Sequence, residues 1–339
     1  MKKIKYFIKR IFHMDFSSMF DKIEKVHKRS GKSKIAIFFD MIYCGMKYQA
    51  GYMDYFLFYF EELNSKQRKT YITRGVNDGY LKKLNDPNYY HYLRDKLEFN
   101  KRFKKYLNRD YLDLSECSYE DFEKFTEKNK VFMAKPVDLS GGYGVEKITL
   151  TKKDNIKKLY KRLVDEHKYL VEEYIIQHHK MSELCPTSVN TLRIVTVHKN
   201  GKTTVMLRAI RIGNGINPVD NFHQGGMYSL FDDKGIITKP GMDREGILFE
   251  KHPTTGVQIE GFEIPYYKES IKLVEKIAAS IPEIGMAGWD IAITEKGPIL
   301  IEGNELPGYD IYQSKIHLNK NKEGLKPFFD KVIYGDDNV

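Results

Sequence analysis

The sequence predicts an α+β protein in which a mainly helical N-terminal region precedes a larger region of antiparallel sheet. Helical spacing of apolar residues dominates the first part of the chain, and two hairpin signals lie in the second. The 339 residues suffice for two or three packed subdomains, and 41% hydrophobic with 30% charged residues is a globular composition.

The helical region is expected over residues 1–94. Apolar residues recur at helical spacings in three stretches, roughly Ser18 to Arg29, Ser33 to Lys47 and Tyr52 to Asn64. A further helical pattern from Tyr89 to Leu107 ends at Asn108, a residue type that suits a helix C-terminus.

The first twelve residues have the pattern of an amphipathic helix. Its apolar face consists of Ile4, Phe7, Ile8, Ile11 and Phe12. Lysines and one arginine surround this face, at positions 2, 3, 5, 9 and 10. The pattern is typical of a helix that packs on its own protein and also of a helix on a membrane surface, so both interpretations stay open.

The pattern changes after Asn108, and we expect two α+β subdomains within residues 95–335. The first, about residues 109–175, has three strand candidates with one helix between the second and the third. The strands are Val131 to Lys135, Val145 to Leu150 and Tyr169 to Ile175, and the helix follows a predicted N-cap at Asp154.

The second subdomain, residues 176–335, begins as antiparallel sheet. Asn200-Gly201 separates two alternating runs and predicts a type I′ turn, which needs positive φ at both central residues. A helix from about Tyr267 to Ser280 precedes a final hairpin of Ala287 to Thr294 and Pro298 to Gly303.

Charge and cysteine content narrow the class of protein without identifying it. The net charge of +10 favours anionic partners but does not choose among nucleotides, acidic sugars, nucleic acid and membrane surfaces. Cys44, Cys117 and Cys185 form no metal-binding spacing, which suits a reducing cytoplasm. The longest apolar run, Ile35 to Phe39, is too short for a membrane span, and we expect no secretory signal.

The final hairpin carries the strongest chemical signal. Its turn is expected at Glu295-Lys296-Gly297, with Gly297 in a left-handed conformation. Asp290 lies six residues before Lys296 and Glu302 six after it, so an antiparallel pair places these carboxylates opposite each other. The period of two puts Asn304 on the same face as Glu302.

Facing carboxylates on adjacent strands repel each other unless a cation lies between them. Oxygen ligands favour magnesium or manganese over zinc, so a divalent metal site is the economical explanation for Asp290, Glu302 and Asn304. The alternative is that both carboxylates point into solvent. The apolar residues around them favour buried strands.

A second group of residues suits phosphate. Lys135 follows a strand and precedes the turn Asp138 to Gly144, whose glycines allow backbone N–H groups to approach an anion. A plain hairpin connection is the alternative. Asp95-Lys96 lies on the preceding helical stretch, where such pairs are commonly solvated, and Glu172-Glu173 ends a later strand.

The order of these motifs along the chain resembles the ATP-grasp superfamily, from about Asp95 to Gln313. The most specific part is Glu302-Gly303-Asn304 followed by Pro307-Gly308. Within the superfamily the chain is similar to the sugar-transfer-associated ATP-grasp proteins. Three segments carry that likeness: Ser188 to Arg193, His252 to Gly256 and Gly288 to Ala292.

The resemblance implies a site for ATP and two magnesium ions. Lys96 and Lys135 would reach the phosphates, and a loop with Ser140, Gly141, Gly142 and Gly144 would cover them. Glu172, Glu173 and Ile175 would bind adenine. Asp290, Glu302 and Asn304 would hold the metal ions, with manganese as a possible substitute.

Three arginines on the central hairpin, Arg193, Arg208 and Arg211, are candidates for holding the transferring phosphoryl group or a substrate carboxylate. Arg208 and Arg211 are separated by an odd number of residues, so at least one of them is expected to face away from the site. Surface salt bridges are the alternative. Asn221 and His223 are second candidates by the same resemblance.

The chemistry that the resemblance implies is carboxylate–amine ligation. A substrate carboxylate accepts the phosphoryl group of ATP, and an amine attacks the acylphosphate to give an amide, ADP and phosphate. Small sugar-linked acids and amines of capsule or exopolysaccharide synthesis are the expected partners, and nucleic acid is not. A kinase acting on a hydroxyl group, or a nucleotide-binding scaffold at the inner face of the membrane, remains open.

His178 and His179 form an adjacent pair that we interpret as structural. Adjacent residues of a strand point to opposite faces, and no third ligand is evident in the sequence.

Overall fold

The computed structural model describes residues 15–137, 143–216, 225–316 and 320–335. The predicted amphipathic helix of residues 1–12 lies outside these ranges. So do three loop residues predicted to cover phosphates, Ser140, Gly141 and Gly142, and the second candidates Asn221 and His223.

Helices occupy most of residues 15–107 and recur between the strands. Their bounds are α1 Phe16–Ser30, α2 Lys34–Tyr48, α3 Tyr52–Leu57, α4 Ser65–Arg68, α5 Arg74–Leu84, α6 His91–Arg94, α7 Lys96–Leu107, α8 Tyr119–Lys128, α9 Ile156–Asp165, α10 His179–Leu184, α11 Tyr267–Ala279 and α12 Lys326–Tyr334. Short 3₁₀ helices are Phe60–Glu62, Pro87–Tyr89 and Ile311–Gln313.

The strands form two antiparallel sheets. Their bounds are β1 Tyr111–Asp113, β2 Val131–Lys135, β3 Glu146–Thr149, β4 Leu170–Glu173, β5 Thr191–Lys199, β6 Lys202–Ile212, β7 Met227–Leu230, β8 Gly241–Met242, β9 Leu248–Phe249, β10 Met286–Thr294 and β11 Gly297–Asn304. The four-stranded sheet has the order β1-β4-β2-β3, and the seven-stranded sheet has the order β11-β10-β5-β6-β7-β8-β9.

The chain divides into two compact units. One consists of Met1–Asn85 with Leu306–Val339, and the other of Asp86–Glu305, which contains both sheets. This division differs from the predicted domain bounds at residues 94 and 335. The C-terminal segment belongs with the N-terminal helices because Gln313 hydrogen-bonds both the N–H and the carbonyl group of Ile72.

Side-chain caps fix the ends of several helices. Asp95 accepts hydrogen bonds from the N–H groups of Leu97 and Glu98 at the start of α7, and Asn108 ends that helix with φ of 46°. Helix α9 begins one residue later than predicted. Its cap is Asn155, because the Asp154 carboxylate instead closes a turn with Thr151.

The central hairpin confirms the predicted turn. Lys199 pairs with Lys202, and Asn200 and Gly201 have φ of 52° and 73°. Both central residues are therefore left-handed, as a type I′ turn requires. This turn sets β5 against β6 and thereby fixes which side chains of the central strands share a face.

The final hairpin has the predicted pairing but reaches it differently. Thr294 pairs with Gly297, so the turn contains two residues rather than three. Ile291 pairs with Leu300, and Asp290 pairs with Glu302, which makes Ile301 the extra residue of a β-bulge. The one-residue error in the turn and the one-residue bulge cancel, and the two carboxylates face each other as expected.

Each sheet has its own apolar core. The four-stranded sheet packs Phe132 and Val171 against Phe122 and Leu163 of its helices. The larger sheet encloses Trp289, which is fully buried and lies edge-on to Phe103 of α7. Strand β10 is buried along nearly its whole length, so Asp290 lies in a protein interior rather than on a solvated sheet face.

The described helices include none that is both long enough and apolar enough to cross a bilayer. All three cysteines are free thiols.

Glu146 of β3 links the smaller sheet to helix α9. Its carboxylate accepts hydrogen bonds from Arg162 at 2.8 Å and forms an ion pair with Lys168 at 2.6 Å. The Arg162 hydrogen bond, assisted by Lys168, lowers the pKa of Glu146 from 4.5 to about 2 despite partial burial. The ionised form therefore stabilises the fold above pH 4.5, and this stability is lost as the pH falls towards 2.

We expect Glu146→Gln to lower the melting temperature at neutral pH and to differ little from the wild type near pH 2. Thermal unfolding measured across this pH range tests the prediction. Glu127→Gln, which changes an exposed carboxylate of α8, is the control. A constant difference between wild type and Glu146→Gln at every pH contradicts the assignment.

Candidate functional site

Lys96 lies at the start of α7 and reaches the end of β2. Its ammonium group donates to the carbonyl oxygens of Pro136 at 2.9 Å and Val137 at 3.3 Å. These two residues begin the connection that leads to Gly144, which has φ of 71°. Lys96 therefore contacts the two residues that precede the predicted phosphate loop and is not merely a solvated helix residue.

Lys135 ends β2 and forms an ion pair with Glu172 of the neighbouring strand β4. The Glu172 carboxylate is buried and also accepts hydrogen bonds from Asn100 at 2.9 Å and Arg109 at 2.7 Å. Burial alone would raise the pKa of Glu172, but Arg109 and Lys135 outweigh it and hold that pKa well below the usual range.

These contacts correct the predicted role of Glu172. Its carboxylate is engaged by three side chains, and its backbone lies in a central strand paired on both sides, so it anchors Lys135 instead of accepting from adenine. Glu173 accepts from the N–H group of Asp110 at 3.1 Å. Half-buried Ile175 follows the strand end, where backbone groups leave the sheet.

Arg109 is a site residue that the sequence did not reveal. Besides Glu172, its guanidinium group donates to the carbonyl oxygens of Leu300 and Ile301, the residue pair at the bulge of β11. The buried side chain of Arg109 thus connects Glu172, which holds Lys135, to β11, the strand that carries Glu302. The sequence signal that could have indicated such a residue is Glu172, because a carboxylate inside an apolar strand requires a buried cation beside it.

Asp290 is buried and bound by two arginines. Arg193 donates to both of its carboxylate oxygens, and Arg211 donates to one at 2.8 Å. Burial alone would raise the pKa of Asp290, but Arg193 and Arg211 lower it. Guanidinium groups therefore supply positive charge beside the facing carboxylates, and the predicted metal site stays a prediction.

Arg208 does not join this group. Its register places it opposite Ile194, on the other face of the sheet, where its Nε donates to the hydroxyl group of Tyr267 at 3.1 Å. The expectation that one of Arg208 and Arg211 faces away is confirmed, and Arg208 is the one. We therefore remove Arg208 from the candidate catalytic residues.

Glu302 and Asn304 supply the remaining oxygen donors. Desolvation and the adjacent Asp290 carboxylate raise the pKa of Glu302, although half of its side-chain surface stays exposed. Arg193 lies 3.8 Å from the Glu302 carboxylate. The amide nitrogen of Asn304 is buried without a hydrogen-bond partner among the described residues.

This donor set fits a magnesium ion in its chemistry. Glu302 offers a carboxylate whose raised pKa a nearby cation would lower. The atom of Asn304 without a described partner is its amide nitrogen, a donor, so a metal ion would bind the amide oxygen instead. Asp290 fits only in part, because both of its oxygens already accept from arginine. Asp290 would have to share its oxygens between the arginines and a metal ion.

His178 and His179 have a third partner, contrary to expectation. They lie at the start of α10 rather than on a strand, and both approach the Glu295 carboxylate, His179 at 2.9 Å and His178 at 3.5 Å. Nδ1 of His178 accepts from the N–H group of Lys180, so Nε2 carries the proton and faces Glu295. This tautomer favours a hydrogen-bonded cluster over a metal site.

We expect Arg109→Met to lower the free energy of unfolding by about 3–5 kcal/mol, because it leaves the buried Glu172 carboxylate short of a cation. Adding Glu172→Gln should recover part of that loss. Urea denaturation measures both effects, with Arg244→Met, a change at an exposed arginine, as control. An unchanged stability of Arg109→Met would show that the link between the strands is not structural.

Comparisons with solved structures give distant likenesses only. D-alanyl-alanine synthetase A from Vibrio cholerae has 14% identity and a TM-score of 0.43, with 74% of this chain and 66% of that chain covered. N5-carboxyaminoimidazole synthetase from Staphylococcus aureus, complexed with ADP, has 15% identity and a TM-score of 0.39, with 65% and 47% covered. The ATP-grasp ligase PsnB, complexed with its precursor peptide and AMPPNP, has 11% identity and a TM-score of 0.43, with 75% and 63% covered.

The chain thus spans less than two thirds of the length of these solved proteins. A search of curated protein sequences finds no match. The sequence profile described as sugar-transfer associated ATP-grasp matches residues 75–332, which covers both sheets and most of their helices. The chain therefore belongs to the sugar-transfer associated ATP-grasp family.

Proposed function

We propose that this protein is an ATP-dependent, ADP-forming carboxylate–amine ligase. The observation that carries the proposal is one connected set of charged groups in the unit Asp86–Glu305. Arg109 joins Glu172, the partner of Lys135, to the bulge of β11 that sets Glu302 opposite Asp290. Phosphoryl transfer requires such a combination of positive groups and metal-binding oxygens more than it requires a protein nucleophile.

In this proposal Lys96 and Lys135 bind the phosphates of ATP. Glu302, Asn304 and Asp290 hold magnesium, which supplies charge neutralisation at the transferring phosphoryl group. Arg193 and Arg211 hold the substrate carboxylate or the phosphoryl oxygens, because their guanidinium groups suit planar anions. The loop that ends at Gly144 excludes water from the acylphosphate.

In this proposal the end of β4 and the segment that follows it bind adenine. Glu172 is engaged elsewhere, so Glu173 and Ile175 keep the predicted role. Backbone groups beyond Glu173 have left the sheet and can pair with the edge of a base.

The substrate class follows from the family description alone. We infer sugar-linked acids and amines, as in assembly of a capsule or exopolysaccharide, because the family is associated with sugar transfer. Membrane contact through residues 1–12 stays a prediction, since those residues lie outside the described ranges.

The decisive experiment is release of ADP from ATP with panels of sugar acids and amino compounds, added singly and together. We expect release to need both a carboxylate and an amine. Turnover with an alcohol alone, giving a stable phosphoester, would replace the ligase by a kinase. No turnover with any panel while ATP still binds would favour a nucleotide-binding scaffold.

Two variants test the residue assignments in the same assay. Lys135→Ala and Glu302→Gln should each lower kcat by about 10²–10³, since each removes electrostatic stabilisation of the transferring group. Lys101→Ala is the matched control, because it removes an exposed lysine from α7. Full turnover in both variants contradicts the proposed site.

The two faces of the central hairpin give a further test. Arg211→Ala should lower kcat/KM by about 10²–10³, because Arg211 shares a face with Asp290. Arg208→Ala removes an equal charge from the opposite face and should change kcat/KM less than about tenfold. Melting curves separate a folding defect in either variant from a kinetic one, and equal losses at matched stability contradict the assignment.

A further inference from the structure

Helices α1 and α2 expose an apolar surface in the unit that contains the N-terminus. We define the α1–α2 apolar face by Phe16, Phe20, Ile35, Phe39, Tyr43 and Met46. Ile35 is 71% exposed, Phe39 64%, Phe20 57% and Met46 48%. Large apolar side chains in a contiguous exposed group commonly mark a binding surface.

The spacing along α2 shows that this exposure is organised. Ile35, Phe39, Tyr43 and Met46 follow intervals of four, four and three residues, which places them on one side of the helix. The opposite side, with Ile37, Met41 and Cys44, is buried in the core. A helix that is apolar on both sides has the composition of a helix covered on both sides.

Helix α1 extends the face across a shallow groove. Phe20 stacks on Phe38 with 6.5 Å between ring centres, and Phe38 contacts Phe39 edge-on. The groove has a volume of about 500 Å³ and lies between Phe20 and Ile35. The apolar face is therefore continuous over both helices.

Positive charge is concentrated in the same part of the chain. Residues 1–50 contain twelve lysines and arginines against four aspartates and glutamates, a net charge of +8 out of +10 for the whole protein. The four acids have partners within the protein. Asp15 caps α1, Asp21 pairs with Lys22, Glu24 pairs with Lys34, and Asp40 pairs with Arg68.

We propose that the α1–α2 apolar face docks on an anionic lipid membrane surface. Apolar side chains enter the boundary between headgroups and acyl chains, while Lys34 and Lys47, which adjoin the face, are attracted to anionic headgroups. A nucleic acid would use the charge but leave Ile35 and Phe39 in water. A symmetric contact with a second copy would bring together two positively charged segments, because residues 15–50 hold seven lysines and arginines against four acids.

The test is flotation of the full-length protein with lipid vesicles. One set contains phosphatidylglycerol and phosphatidylcholine in equal parts, and the other phosphatidylcholine alone. We expect binding to the anionic set that weakens as salt is raised, and much weaker binding to the neutral set. The double variant Ile35→Ser with Phe39→Ser should lose about tenfold in partitioning for each side chain.

Ile247→Ser is the matched control, because it removes a side chain that is 55% exposed in the other unit. It should bind vesicles as the wild type does. The changed residues are exposed, and melting curves verify that each variant folds. If the double variant melts early, Phe20→Ser and Met46→Ser test the same face from each helix.

Three outcomes overturn the proposal. The first is a wild-type protein that does not float with anionic vesicles, and the second is a double variant that floats as well as the wild type. The third is a concentration-dependent dimer in sedimentation that the double variant loses, which would assign the face to a contact between copies. None of these outcomes depends on whether the ligase assay succeeds.

Discussion

The candidate site depends on the ion pairs and the hydrogen bond that the buried carboxylate of Glu172 makes. This carboxylate lies in the central part of the smaller sheet, and it is stable there only because Arg109, Lys135 and Asn100 surround it. Arg109 also binds the carbonyl groups at the bulge of β11. A single buried charge therefore determines both where Lys135 lies and how the strand bearing Glu302 is held.

Sequence pattern predicted the parts of the fold that local chemistry controls. Asn200-Gly201 has one low-energy way to turn a chain, and Asn108 ends its helix for a similar reason. The pairing of Asp290 with Glu302 was also predicted correctly, but only because two deviations from the predicted hairpin cancel. The turn is shorter than expected by one residue, and the bulge at Ile301 restores the register.

The features that the sequence did not predict depend on long-range contacts. Arg109 and Glu172 are 63 residues apart, and nothing local distinguishes Arg109 from the other arginines. The odd spacing of Arg208 and Arg211 showed that one of them faces away from the site. The register of β6 against β5 was needed to decide which one. The same holds for Asp290, whose repulsion with Glu302 is relieved by Arg193 of the adjacent strand β5 and Arg211 of the next strand, β6.

The arginine pairing of Asp290 has a consequence for the order in which ligands bind. Two guanidinium groups and the Asp290 and Glu302 carboxylates make a cluster whose net charge is zero when Glu302 is ionised and +1 when Glu302 is protonated, so it offers little attraction to a free divalent cation. Under the proposed function, a magnesium ion bound to the phosphates of ATP would bring negative charge with it, and those phosphates would compete with Asp290 for the arginines. Under the proposed function, the site would therefore select the metal–nucleotide complex over the free metal ion.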